Sequence, residues 1–109
     1  MINARFITNN SAACGFEISG HAGYADKGND IVCASVSSAV QMAANTITEV
    51  IKAGTYVSSA DGKVTLRLIQ NPDGDKIVAV KAVLEGLRLH LSLLSNRYRG
   101  TISIEDSEV

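Results

Sequence analysis

From Ile77 to Tyr98 one apolar stripe runs without a break. Ile77, Val80, Leu84, Leu87, Leu91, Leu94 and Tyr98 step by three and four residues throughout. Only an α-helix brings such positions onto one face, and a long helix with a single apolar face needs a broad apolar surface to lie on. Pro72-Asp73-Gly74-Asp75 opens this helix, Arg97 and Arg99 suit the negative end of its dipole, and Gly100 ends it. A second helical run carries Val32, Val36, Ala39, Val40, Ala43, Ile47, Val50 and Ile51, with Asn29 or Asp30 as N-cap and Gly54 as the closing left-handed residue. That face is rich in Ala and Ser, so a neighbour packs closely against it.

The surface beneath the helices is read from period-two alternation. Ile2, Ala4 and Phe6 alternate with polar residues, Asn9-Asn10-Ser11 supplies a turn, and Cys14, Phe16 and Ile18 resume the alternation. Residues 55–58 and 64–69 flank Asp61-Gly62, a hairpin signal, and 101–105 form a last strand. The acidic tail Glu105-Asp106-Glu108 reads as a solvated end. The order ββαββαβ predicts an α+β fold, one domain over residues 1–109, with two helices packed on a largely antiparallel sheet. Of 109 residues 46% are apolar, which excludes a disordered chain, and with no Trp the core rests on Val, Ile, Leu and Ala.

Charge and cysteine usage narrow the function classes. Ten basic and eleven acidic side chains give a net charge of −1, without the basic excess that non-specific nucleic-acid binding needs. No stretch approaches 18 consecutive apolar residues and Met1-Ile2-Asn3-Ala4-Arg5 begins no signal h-region, so neither membrane nor export is expected and the chain reads as cytoplasmic. The two cysteines, Cys14 and Cys33, and two histidines, His21 and His90, lack the paired spacing of a zinc site, so no metal or other cofactor is expected.

Chemistry concentrates between Gly20 and Ser38. If Asp30 caps the helix, Cys33 is its third residue, among backbone N–H groups without intrahelical partners, and those donors with the dipole favour a thiolate. Asp30 opposes this as a neighbouring anion, though capping commits much of its charge to the backbone. The glycine-rich loop before the helix carries His21, the nearest imidazole, so Cys33 and His21 form a candidate nucleophile and base. Few loop side chains look able to anchor it in a core, so it is expected to stand open without substrate and to close with Tyr24 over a bound peptide. Lone cysteines more often pack than react, which is the expectation for Cys14 in its strand. His90 sits beside the leucine stripe, a satisfied or surface-edge position.

Gly20-His21-Ala22, then Asp30-Ile31-Val32-Cys33-Ala34 with ten residues between Ala22 and Cys33, and the Ser-rich Ser35-Val36-Ser37-Ser38 resemble the signature of the ribosomal-processing cysteine protease Prp family. The resemblance extends in length and element order over the whole chain. It implies a small cytoplasmic homodimer that removes a short N-terminal extension from large-subunit ribosomal protein twenty-seven. Cys33 would be the nucleophile and His21 the general base and then acid, a dyad without an identified third member. Gly20, Asp30 and Ser37 match family positions at the substrate site: Gly20 would admit substrate backbone, Asp30 would fix the helix start, and Ser37 would line the pocket one turn beyond Cys33. Helix-start N–H groups would hold the oxyanion. The competing readings are a non-catalytic ribosome- or RNA-associated module and a structural or redox protein with a Cys14–Cys33 bridge. Balanced charge speaks against the first, and a reducing compartment against the second.

Overall fold

The computed structural model describes residues 1–10, 12–26, 28–60 and 62–109. The expected turns at Asn9-Asn10-Ser11 and Asp61-Gly62 therefore lie partly outside the described residues. Among the described residues five strands and two helices follow the expected order: β1 (Ile2–Asn9), β2 (Ala12–Gly20), α1 (Ile31–Asn45), β3 (Thr55–Ala60), β4 (Lys63–Leu68), α2 (Gly74–Arg97) and β5 (Ile102–Glu108).

The sheet order is β3-β4-β2-β1-β5. Neighbours pair antiparallel except β1 and β5, which run parallel. The connections explain this. α1 carries the chain from β2 across β4's place to β3, and α2 carries it from β4 past β2 and β1 to β5, so each helix joins two strands of the same direction. Both helices share one face of the sheet. Val32, Val36, Val40, Ala43 and Ile47 join Val80, Leu84, Leu87 and Leu91 over Ile2, Ala4, Phe6, Phe16, Ile18, Leu66 and Ile102 in one buried cluster. Ile77, the first member of the α2 stripe, is exposed, so the stripe is buried from Val80 to Leu91, with Leu94 and Tyr98 half-buried.

The outer face of the sheet is polar. Glu17 receives Arg5 at 3.3 Å, Arg67 at 3.2 Å and Lys63 at 3.8 Å from the strands on either side. Such exposed pairs contribute about 0–1 kcal/mol each and chiefly hold register.

Three local expectations are corrected. The acidic tail is exposed as expected but is not a loose end, because β5 continues to Glu108: Glu105 pairs with Arg5 at 3.2 Å, Asp106 takes two bonds from Arg88, and Glu108 accepts from the Thr8 hydroxyl and the Asn10 N–H. Gly54 does not close the first helix. A wider π-helical turn over Thr46–Val50 prolongs it, and Lys52 takes the left-handed conformation at φ 61°. Cys14 falls at a bulge, where Ile7 faces Gly15 but Thr8 faces Ala13, so it leaves the alternation and donates its thiol to the Ile7 carbonyl.

With its wide turn the first helix, Ile31–Val50, reaches a mean hydropathy of 1.2, long and apolar enough to cross a membrane. Its buried valines sit in the domain core, and a core helix of a globular domain meets the same description.

Candidate active site

β2 ends at Gly20, and the loop that follows feeds α1. Gly20 has φ +90°, and a Cβ there would lie 2.4 Å from the Met1 carbonyl oxygen. A side chain is barred by this chain's own first residue, so the fold itself demands the glycine. His21 follows at once and is exposed, whereas Ala22 is 5% exposed and belongs to the core cluster.

Asp30 joins loop and helix. Its Oδ1 accepts the N–H groups of Val32 and Cys33, both at 3.0 Å, while Oδ2 accepts those of Tyr24 at 2.9 Å and Ala25 at 3.2 Å. The N–H of Cys33, then those of Ala25, Tyr24 and Val32, hold this carboxyl below its ordinary 3.8 against the opposing effect of burial. A carboxylate depressed by folding stabilises the native state above its unfolded value, and that contribution disappears as pH falls through the lower folded value. We therefore expect Asp30→Asn to be destabilised at neutral pH and to lose less stability than the parent on acidification below pH 3.8, as measured by urea melts across pH.

The loop is better anchored than its composition suggests. Ala22 enters the core, Asp30 takes two of its N–H groups, and the Tyr24 ring stands edge-on to Tyr98 with centroids 5.2 Å apart. Tyr24, 52% exposed, is thus already seated against α2's end rather than free to fold over a peptide. Lys27 lies outside the described residues.

Cys33 is half-buried, and its Sγ accepts the Ala22 N–H at 3.3 Å. Among the described residues no hydrogen bond joins His21 to Cys33, and none orients the His21 ring. Both nevertheless line one groove of about 950 Å³, and so do Gly20, Asp30 and Ser37. All five residues singled out in the sequence meet there. α1 forms one wall with Val36, Val40 and Ala44, and the β3–β4 hairpin forms the other with Val57, Ser59 and Val64. That second wall, and the Ala22 N–H bond to sulfur, were not legible from residue type, because nothing local marks a distant hairpin or aims a backbone N–H at a thiol.

Asp30 also overturns the expectation that helix-start donors hold an oxyanion. Val32 and Cys33 give their N–H groups to its carboxylate, and Ala34 gives its own to the Asp30 carbonyl at 3.1 Å. The cap consumes them.

Cys14 lines a different cavity of about 360 Å³ with Arg67 and Val109, and both cysteines are free thiols, so there is no Cys14–Cys33 bridge. Burial, opposed in part by Arg67, pushes the Cys14 thiol above its ordinary 9.0. Iodoacetamide near neutral pH is expected to label Cys33, which faces the groove, ahead of Cys14, as read by peptide mapping. Preferential labelling of Cys14 would contradict the assignment of the two roles.

Solved structures share the fold. The ribosomal processing protease Prp of Staphylococcus aureus, in complex with a covalently linked product peptide, superposes with a TM-score of 0.86 at 21% identity over 98% of this chain and 100% of that one. The same protease with a substrate peptide gives 0.80 at 20% identity over 98% and 100%. A Streptococcus mutans protein gives 0.74 at 24% identity over 100% and 96%. No curated protein matches the chain by sequence. The sequence profile described as cysteine protease Prp covers residues 1–103, from the first strand into the last and so across the whole groove, and the chain accordingly belongs to the Prp family of cysteine proteases.

Proposed function

We propose that the chain is a ribosomal-processing endopeptidase that removes the short N-terminal extension of large-subunit ribosomal protein twenty-seven. The observation that carries this reading is the meeting of Cys33 and His21 on a single groove wide enough for a peptide, in a chain of this family. The S. aureus relative held in complex with substrate and with covalently linked product peptide supports it by analogy of fold.

In this reading the Cys33 thiol passes its proton to His21, and the sulfur attacks the scissile carbonyl. Imidazolium then protonates the leaving amine, and water, activated by the same imidazole, hydrolyses the thioester. His21 must approach Sγ for this, so the peptide is expected to bring the exposed imidazole inward as it fills the groove. Asp30 fixes the helix start, and Ser37 borders the peptide one turn beyond Cys33. The reaction needs no cofactor. The balanced charge of the chain disfavours the RNA-binding alternative.

The enzyme is further read as a cytoplasmic homodimer. Val78, Leu89 and Leu93 are exposed along one line of α2, apolar surface that a two-fold contact would bury. A sedimentation mass of 11.5 kDa at micromolar concentration would contradict the dimer.

Incubation with the extended ribosomal protein tests the activity. A product shortened at its N-terminus is expected, and an intact substrate after prolonged incubation would overturn the proposal.

A further inference from the structure

We infer that the backbone N–H of Ala22 is the oxyanion donor of this protease, an inference that rests on Cys33 being the nucleophile. Nucleophilic cysteines at helix starts ordinarily have their own N–H and those of the next residues free to receive a developing oxyanion. Here that supply is closed off. Asp30 Oδ1 holds the N–H groups of Val32 and Cys33 at 3.0 Å, and the Asp30 carbonyl holds that of Ala34. The donor that does reach the reacting atom comes from the loop before the helix, where Ala22 N lies 3.3 Å from Cys33 Sγ.

Its partner is the sulfur itself, and that is what makes it useful. As Sγ attacks, its lone pair becomes the S–C bond and the carbonyl π pair moves onto oxygen. The sulfur stops being a good acceptor at the moment an anionic oxygen appears two bonds away. The N–H transfers its hydrogen bond from Sγ to that oxygen with little movement. Collapse of the intermediate restores the carbonyl, breaks the C–N bond and releases the amine with the proton from His21, leaving the thioester. Attack by water on the thioester regenerates the oxyanion and then the thiolate, to which the N–H returns.

The donor is held rigidly. The Ala22 methyl is 5% exposed within the core cluster, although His21 and Gly23 on either side are exposed. Gly20, locked at φ +90° against Met1, fixes the chain just before it. A preorganised donor of this kind is what transition-state stabilisation requires.

The test replaces the donor atom alone. Cys33 is a natural ligation junction, so a synthetic 1–32 segment in which the Ala22 amide is a backbone ester can be joined to 33–109 to give the full chain. The ester keeps the methyl and removes the N–H. We expect kcat for peptide cleavage to fall about 10²–10³-fold with KM little changed. Alkylation of Cys33 by iodoacetamide, a displacement that forms no oxyanion, should proceed at the rate of the all-amide ligated chain. A peptide aldehyde, whose thiohemiacetal oxygen occupies the oxyanion position, should bind more weakly by a comparable factor, a readout independent of turnover. Undiminished cleavage by the ester chain would overturn the inference. A parallel loss of cleavage and alkylation would overturn it too, since the N–H would then merely hold the sulfur. If the all-amide ligated chain, folded to the parent's melting temperature, failed to cleave, the protease assignment itself would fall and this inference with it.

Discussion

Cys33→Ala is expected to abolish cleavage of the extended ribosomal protein, by on the order of 10⁴-fold or more, while the melting temperature stays close to that of the parent. The thiol supplies the bond-forming atom, and alanine has nothing to replace it. Structurally the change is mild, because Cys33 is only half-buried and, among the described residues, its side chain accepts a single hydrogen bond, from Ala22. His21→Ala is expected to reduce the rate about 10²–10⁴-fold, the usual contribution of a positioned base. It should leave stability unchanged, since the exposed ring makes no hydrogen bond among the described residues. The two losses should not add, because without the base the thiol cannot be drawn on and without the thiol the base has no task. Product yield from quenched time courses, with thermal melts alongside, checks both. A Cys33→Ala chain cutting at near the parent rate would refute the proposed chemistry.

The gathering of the candidate residues in one groove was more legible than the packing that supports it, and the reason is chemical. Cys33 three residues after a capping Asp30, with His21 on the loop before, is a pattern whose parts are reactive side chains close in sequence. The cap was readable because Asp at that position has one strong local use. Its consequence was not. Whether a carboxylate leaves helix-start N–H groups free depends on its rotamer and on the loop donors Tyr24 and Ala25 that draw its second oxygen into place, and neither is a property of the helix alone. The same holds for Ala22. Ala22 stands in the Gly20-His21-Ala22 motif, but an alanine side chain suggests no chemistry, and only the fold buries its methyl and brings its N–H to sulfur.

Element order was read correctly because period-two and period-3.6 patterns are local. The last strand was cut short because Glu105, Asp106 and Glu108 look solvated until Arg5, Arg88 and Thr8 are brought beside them from distant parts of the chain. Long-range partners are what single-sequence patterning lacks. Lys52 rather than Gly54 takes the left-handed position for a related reason: the wide turn at Thr46–Val50 shifts where the helix must stop, and the Ala53 N–H bonds back to the Ile47 carbonyl.

Gly20→Ala carries a large expected effect for a change outside the reacting groups, and it separates two roles for that glycine. A positive φ at a residue with a Cβ costs about 1–3 kcal/mol. Here the Cβ would also stand 2.4 Å from the Met1 carbonyl oxygen, a backbone atom that cannot swing aside as a side chain would. Ile2 pairs with Gly20 in the β1–β2 ladder, so relief requires the start of β1 to move away from the end of β2. Together these lower stability by about 3 kcal/mol, a fall of roughly 10–20 °C in Tm for a domain of this size. Activity should fall as well even at temperatures where the variant is folded, because His21 and Ala22 are the next two residues and inherit any displacement. Cys33 should still alkylate, its helix being anchored independently by Val32, Val36 and Val40 in the core. The alternative role, a gap left for substrate backbone, predicts a different pair of results: an unchanged Tm and a raised KM. Thermal melts and steady-state kinetics on the one variant therefore distinguish a glycine required by the enzyme's own backbone from one required by the peptide it cuts.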